Sequence, residues 1–299
     1  MPDDPAVDAL IDEHRAAGAF LDVDGLRTFV REEGSGDPVV LMHGLPTSSY
    51  LYRKVIPEVA QRGFRALSFD LPGLGMTDRP KDFDYTLAGL GRFSYAAVDA
   101  LGLDRFHLVV HDAGGPVGFD LAVRCGDRIA SLTILNTVLG VGRTPFPGEL
   151  YARFASQLRG PMRSPVAWRQ LMYAVGIANR SATTDAEVDV YRALLLEPDG
   201  GAGYLRIMGL LGQQRGKVDY SHVVDTRSVP YPVALAWGGL DPILSLRRMG
   251  WRALAATHLP SMTVLPGKHY LQEDNAPEIA AIIARNAIAG SDGIGVVHP

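Results

Sequence analysis

The sequence predicts an α/β protein: a mostly parallel central sheet flanked by helices, interrupted once by a helical insertion. Three observations carry that prediction. Short, wholly apolar runs recur along the chain, and several end on a histidine, aspartate or asparagine. Segments of helical spacing lie between them. One stretch, residues 139–228, breaks the alternation. Strands that are apolar throughout are buried on both faces, as in a parallel sheet covered by helices.

Residues 1–17 read as a helical leader. Phe20–Val23 and Leu26–Val30 flank Asp24-Gly25, a hairpin signal. The apolar runs follow at Val39–Met42, Ala66–Phe69, Phe106–Val110 and Leu132–Leu135, and resume at Val233–Trp237 and Met262–Leu265. Leu87–Leu101 and Val117–Cys125 carry helical spacing. The predicted division is therefore a core of residues 1–138 and 229–299 with a helical lid over 139–228. The lid holds Tyr151, Phe154, Trp168, Met172, Tyr173, Tyr191, Tyr204 and Met208, most of which serve its own packing. The tail from Gly290 is expected to be loosely ordered.

Composition narrows the function. The chain has 299 residues, 47% apolar and 21% charged, with a net charge of -4. Acids and bases are interspersed, so a nucleic-acid footprint is not expected. No apolar run spans a bilayer, and the acidic N-terminus is unlike a signal peptide. The single Cys125 excludes an internal disulfide and a C-x-x-C motif; it reads as a small packing residue. A cytoplasmic monomer or homodimer without cofactor or metal is the expectation. Gly73-Leu74-Gly75 is a turn, and the spacing of a dinucleotide site is missing.

In a parallel sheet, ligands sit at the carboxyl ends of the strands. His43-Gly44-Leu45-Pro46, Asp112, Asn136, Asp241 and His269 stand there or just beyond. Asp112 is followed by Ala113-Gly114-Gly115, small residues that let a helix start close to its strand. The order Asp112, Asp241, His269 is nucleophile, acid, histidine, as in the α/β-hydrolase fold. Val110 stands where G-x-S-x-G has its first glycine, so that pattern is only partly met. Each residue also has an ordinary role: Asp112 as a helix N-cap, Asp241 as a turn residue before Pro242, His269 as a core histidine. Three such residues in this order at strand ends favour a catalytic triad. His43 and His111 read as packing residues around the turn and the 43–46 loop.

The stretches H-G-L-P-T-S-S-Y-L-Y-R-K-V-I-P (43–57), D-L-P-G-L-G-M-T-D-R-P (70–80), V-H-D-A-G-G-P (110–116) and G-K-H-Y-L-Q-E-D (267–274) resemble the haloalkane dehalogenase and epoxide hydrolase branch of the α/β-hydrolases. The resemblance covers roughly residues 20–290 and is weakest over 139–228. It implies that Asp112, already ionised at neutral pH, attacks an electrophilic carbon and forms an alkyl ester. His269 then activates the water that hydrolyses the ester, and Asp241 orients His269. The N–H groups of Leu45 and Ala113 form the oxyanion hole.

The resemblance also separates the substrates. Dehalogenases of this branch usually carry a Trp after the nucleophile and an Asn in H-G-N-P to hold the halide. Here those positions are Ala113 and Leu45, leaving Trp168 as the one lid tryptophan. Epoxide opening instead needs an acid for the alkoxide, normally a lid Tyr. Tyr204 is the first candidate, with Tyr151 or Tyr173 second; His43 and Pro46 complete the candidate substrate contacts. The expectation is an epoxide hydrolase acting on small apolar substrates, with haloalkane dehalogenation as the alternative. A further alternative is a small-molecule binding protein of the same fold with little turnover. An esterase is disfavoured, because attack by Asp112 on a carbonyl would give an anhydride. Asn136 cannot replace the acid and reads as a strand-end turn residue.

Overall fold

The computed structural model describes residues 4–141, 162–213 and 218–292. Its sheet has eight strands: β1 (Gly18–Val23), β2 (Leu26–Glu33), β3 (Pro38–Met42), β4 (Arg65–Phe69), β5 (Phe106–Asp112), β6 (Ile129–Thr137), β9 (Val233–Gly238) and β10 (Thr263–Leu265). They lie in the order β1-β2-β4-β3-β5-β6-β9-β10. The pairs from β4 through β10 are parallel, while β1–β2 and β2–β4 are antiparallel. The predicted hairpin is therefore the sheet's antiparallel margin. Asp24 and Gly25 both have positive φ, 50° and 81°, as the commonest two-residue hairpin turn requires.

Burial follows the sequence pattern. Every residue of β6 is buried, as are the first six of β5. Two helix pairs cover the sheet: α3 (Leu87–Ala100) packs on α4 (Gly114–Cys125), and α2 (Val55–Ala60) packs on the C-terminal helix (Ala276–Asp292). Cys125 is buried in α4, and burial pushes its thiol up to about 11, so it is a packing residue. The leader forms α1 (Pro5–Ala16), capped by Asp4, whose carboxylate accepts the Ala6 N–H at 3.0 Å.

The tail corrects an expectation. The last helix runs through Gly290 to Asp292. A Cβ on Gly290 would lie 2.3 Å from the Ala130 carbonyl oxygen, so this glycine permits close packing on β6 rather than ending the helix.

Between β6 and β9 the chain leaves the sheet. Two short strands, β7 (Gly140–Val141) and β8 (Val218–Asp219), pair antiparallel and tie its two ends together. The described part of the excursion contains α5 (Pro165–Leu171), a π-helical turn (Met172–Gly176), α6 (Asp185–Leu196), α7 (Ala202–Gln213) and α8 (Ser221–Val224). Ser164 caps α5, and Thr184 with Glu187 forms a capping box on α6. α1 packs against α6 and so links the leader to the excursion. Tyr151 and Phe154 lie outside the described residues.

Two buried histidines away from the strand ends make stability depend on pH. Burial and the nearby Arg31, Arg53 and Arg15 hold His14 well below its ordinary value. Burial lowers His107 to about 4. The unfolded chain takes up these protons near about pH 6.5, and the folded chain only at lower pH. Stability carried by the neutral rings is therefore present above that value and lost as pH falls toward about 4. The melting temperature should fall between about pH 6.5 and about pH 4.5, and His107→Gln should flatten the fall. Thermal melts across that range check it; the same slope in the variant would count against it.

Candidate active site

Asp112 is the last residue of β5, and its backbone is left-handed, with φ at 51°. That conformation costs a non-glycine residue roughly 1–2 kcal/mol. Helix α4 begins two residues later, with Ala113 at the N-cap and no side-chain cap bond. Asp112 is therefore not the helix cap. Its turn is made possible by small neighbours. A Cβ on Gly115 would lie 1.8 Å from Thr137 Oγ1, and one on Gly114 would lie 2.4 Å from the His43 carbonyl oxygen. Thr137 Oγ1 donates to the Asp112 carbonyl oxygen at 2.5 Å, fixing the turn from β6.

The carboxylate is held on two sides. Leu45 N–H donates to Asp112 Oδ1 at 2.8 Å, and the Ala113 N–H also bonds the carboxylate. Asp112 Oδ2 lies 3.3 Å from His269 Nε2. His269 Nδ1 donates to Asp241 Oδ2 at 2.8 Å. Asp241 Oδ1 accepts the N–H groups of Ile243 and Leu244 at 2.7 and 2.9 Å. The structure thus brings Asp112, His269 and Asp241 together, with Leu45 and Ala113 beside them.

The charges reinforce one another. Burial alone would push both Asp112 and Asp241 up, but His269 and neighbouring N–H groups outweigh it, so both carboxyls lie below their ordinary value. Burial alone would lower His269; the two carboxylates raise it to about 10. Both carboxylates favour the protonated form of the ring between them.

Asn136 is more than a strand-end turn residue. Its Nδ2 donates to Asp241 Oδ2 at 2.7 Å, and its Oδ1 accepts the Gly238 N–H at 2.8 Å. It holds the acid against the end of β9. His111 supports the histidine from behind: its Nε2 donates to the His269 carbonyl oxygen at 2.8 Å. Burial lowers His111 to about 4, so this ring stays neutral.

A cavity opens above Asp112 and His269. Leu45, Pro46, Ala113, Ile243 and Tyr270 line it from the sheet side. Met162, Trp168, Met172, Tyr204 and Met208 line it from the excursion. Tyr204, on α7, and Pro46 therefore stand where the sequence suggested. His43 does not: it is wholly buried, with Nδ1 at 3.0 Å from the Gly44 carbonyl oxygen and Nε2 accepting the Leu71 N–H. It braces the 43–46 loop from beneath. Tyr173 is also displaced from the expected role. Its hydroxyl serves the Thr183 carbonyl and the Asp185 carboxylate, inside the excursion. Tyr151 lies outside the described residues. Trp168 lines the cavity, but its indole N–H donates to the Val188 carbonyl oxygen at 2.9 Å. Tyr270 was missed: an aromatic next to the histidine gives no directional signal in sequence.

Among the described residues no cluster of His, Cys, Asp and Glu is arranged to hold a metal ion, and no helix is long and apolar enough to cross a membrane.

A family model described as alpha/beta hydrolase fold matches residues 37–276. The haloalkane dehalogenase of Mycolicibacterium smegmatis is 31% identical, over 89% of this chain and 89% of its own. That of Mycobacterium marinum is 29% identical, over 89% and 91%. A crystal structure of an epoxide hydrolase from Vigna radiata superposes with a TM-score of 0.70 at 23% identity, covering 90% of this chain and 96% of that one; at this identity the likeness speaks to the fold alone. The chain belongs to the α/β-hydrolase superfamily, in its haloalkane dehalogenase and epoxide hydrolase branch. It is a hydrolase of that general type.

The close approach at the turn can be tested without a substrate. Gly115→Ala should destabilise the protein by about 1–3 kcal/mol through the clash with Thr137. Thr137→Ala in the same chain should recover part of that loss. Denaturant melts of the single and double variants measure it; equal losses in both would refute the packing argument.

Proposed function

We propose that the protein is an epoxide hydrolase that forms a covalent ester on Asp112. The observation that carries this reading is the engaged indole of Trp168. Its N–H already serves Val188, and Ala113 and Leu45 occupy the other two positions from which this branch holds a halide. A free halide leaving into an apolar cavity without such donors is poorly stabilised. An epoxide oxygen stays attached to the substrate carbon skeleton and needs only a proton.

In the proposed reaction Asp112 Oδ2 attacks one ring carbon, and the bond from that carbon to the ring oxygen breaks. The alkoxide takes a proton from Tyr204, which lines the cavity. Asp112 Oδ1 becomes the ester carbonyl oxygen beside the Leu45 and Ala113 N–H groups. His269 Nε2 then takes a proton from water, and the hydroxide adds to the Asp112 carboxyl carbon. The oxyanion forms on Oδ1, where those two N–H groups hold it. Collapse breaks the bond between the Asp112 carboxyl carbon and Oδ2, the remaining proton of the attacking water passes to Oδ2, and the diol leaves carrying Oδ2. The new carboxylate oxygen comes from water; the proton that His269 released to solvent after ester formation reprotonates the tyrosinate, and His269 ends protonated, as it began.

Ester formation also prepares the base. The negative charge of Asp112 is one of the two that raise His269. Esterification removes it, so the imidazole loses its proton more readily in the intermediate than in the resting enzyme. The excursion covering 139–228 serves as the lid over the site. The second reading, haloalkane dehalogenation, is favoured by the curated relatives at 29% and 31% identity.

The test is His269→Gln with styrene oxide and, separately, a bromoalkane, read by intact mass and by mapping residues 106–124. An Asp112 adduct from the epoxide alone supports the proposal. An adduct from the bromoalkane with bromide release moves the assignment to dehalogenase. In the parent enzyme the two steps should respond differently to pH. Asp112 stays ionised below its ordinary value, while hydrolysis needs neutral His269. The quenched ester fraction should therefore fall as pH rises from about 6 to about 9. A fraction constant over that range would remove His269 as the base.

A further inference from the structure

A buried charge cluster lies beyond the triad, on the short helix Leu271–Asp274 that follows His269. The Glu273 side chain is completely buried. Both its oxygens accept from the Arg53 guanidinium, and Lys54 Nζ lies 2.9 Å from Oε2. Burial would push this carboxyl up, but Arg53 and Lys54 hold it down at about 2. Those partners come from the sheet side. Two more come from the excursion: Thr183 Oγ1 donates at 3.0 Å, and the Tyr191 hydroxyl donates to Oε1. Arg53 also reaches Glu187 on α6 at 2.8 Å.

The same stretch is fastened to the excursion by backbone. His269 N–H donates to the Val175 carbonyl at 3.2 Å, and Tyr270 N–H to that of Gly176 at 2.9 Å. Asp274 accepts the N–H groups of Ala178 and Asn179, both at 2.9 Å. Lys268 Nζ donates to the Tyr173 carbonyl. Tyr191 stacks on Tyr270 with the ring planes 10° apart, and Tyr270 lines the cavity. Asp112 shares none of these contacts. It is set by β5, Leu45, Ala113 and Thr137.

We propose that Glu273 is a positioning residue: by bridging Arg53, Lys54, Thr183 and Tyr191 it fixes residues 173–191 and the His269 stretch as one rigid piece. The consequence is selective. Loss of the bridge lets His269 shift relative to Asp112 while Asp112 itself stays in place. Ester hydrolysis then suffers more than ester formation. This selectivity rests on the ester reading above, whereas the rigid coupling does not.

The test uses Glu273→Gln and, because an unpaired buried Arg53 can unfold the chain, also Tyr191→Phe. Quenched intact mass with styrene oxide gives the rates of adduct formation and decay. Formation should stay within about twofold of the parent, and decay should slow by about fivefold or more, so that the ester accumulates. Hydrogen exchange without substrate should rise together in 172–179 and 268–274. Equal slowing of both steps in a folded variant, or exchange rising in one segment only, overturns the proposal. If even His269→Gln gives no adduct, the ester reading fails, and hydrogen exchange alone decides whether the coupling stands.

Discussion

The left-handed backbone at Asp112 is the constraint on which the site depends. A strand that simply continued would bury this carboxylate in the sheet or pass it to the helix as a cap. The turn instead presents it to His269 and the cavity at the end of β5. Holding that turn requires contacts from three other elements. Gly44 and Leu45 come from the loop after β3, Gly114 and Gly115 open α4, and Thr137 ends β6. The strain is small beside the packing that over-determines it, which is how such backbones persist at functional sites.

Electrostatics follows from that placement. Two carboxylates face one imidazole in a buried space, so each is shifted toward its charged form. A like pair of carboxylates without the ring would drive one of them to protonate. The ring is therefore what keeps Asp112 ionised, and Asp112 is part of what keeps the ring protonated. Covalent modification of either changes the other. For the proposed reaction this wiring gives an order: Asp112 charged for the first step, His269 neutral for the second.

Much of this was legible in the sequence, for physical reasons. Most of the apolar runs are buried strands, although β10 at the sheet's edge is exposed at Thr263 and Val264, and Asp24-Gly25 turns as the hairpin signal required. Asp112, Asp241 and His269 stood out because polar residues at the ends of core strands need a purpose. What stayed hidden was direction and distance. An aromatic in an apolar segment does not say which way it faces, so Tyr173 stood as a second candidate beside Tyr204, although of the two Tyr204 alone lines the cavity. Asn136 looked like a turn residue because its partner, Asp241, lies 105 positions away. Arg53 and Glu273 are 220 positions apart, and nothing local marks them as partners. Gly290 was expected to open a loosely ordered tail, because sequence shows its freedom and not the carbonyl it approaches.

The indole of Trp168 shows why side-chain type is weaker evidence than hydrogen-bond state. By composition it is a halide donor; in the folded chain it is a strut between α5 and α6. Turning it toward the cavity would give up this bond, a net loss of about 0.5–1.5 kcal/mol. A halide would have to repay that cost before gaining a donor. In the proposed epoxide reaction the oxygen stays attached to the substrate and needs one proton rather than a standing donor. On the proposed reading, the excursion biases the chemistry by what its polar groups already bind, as much as by what it presents to the cavity.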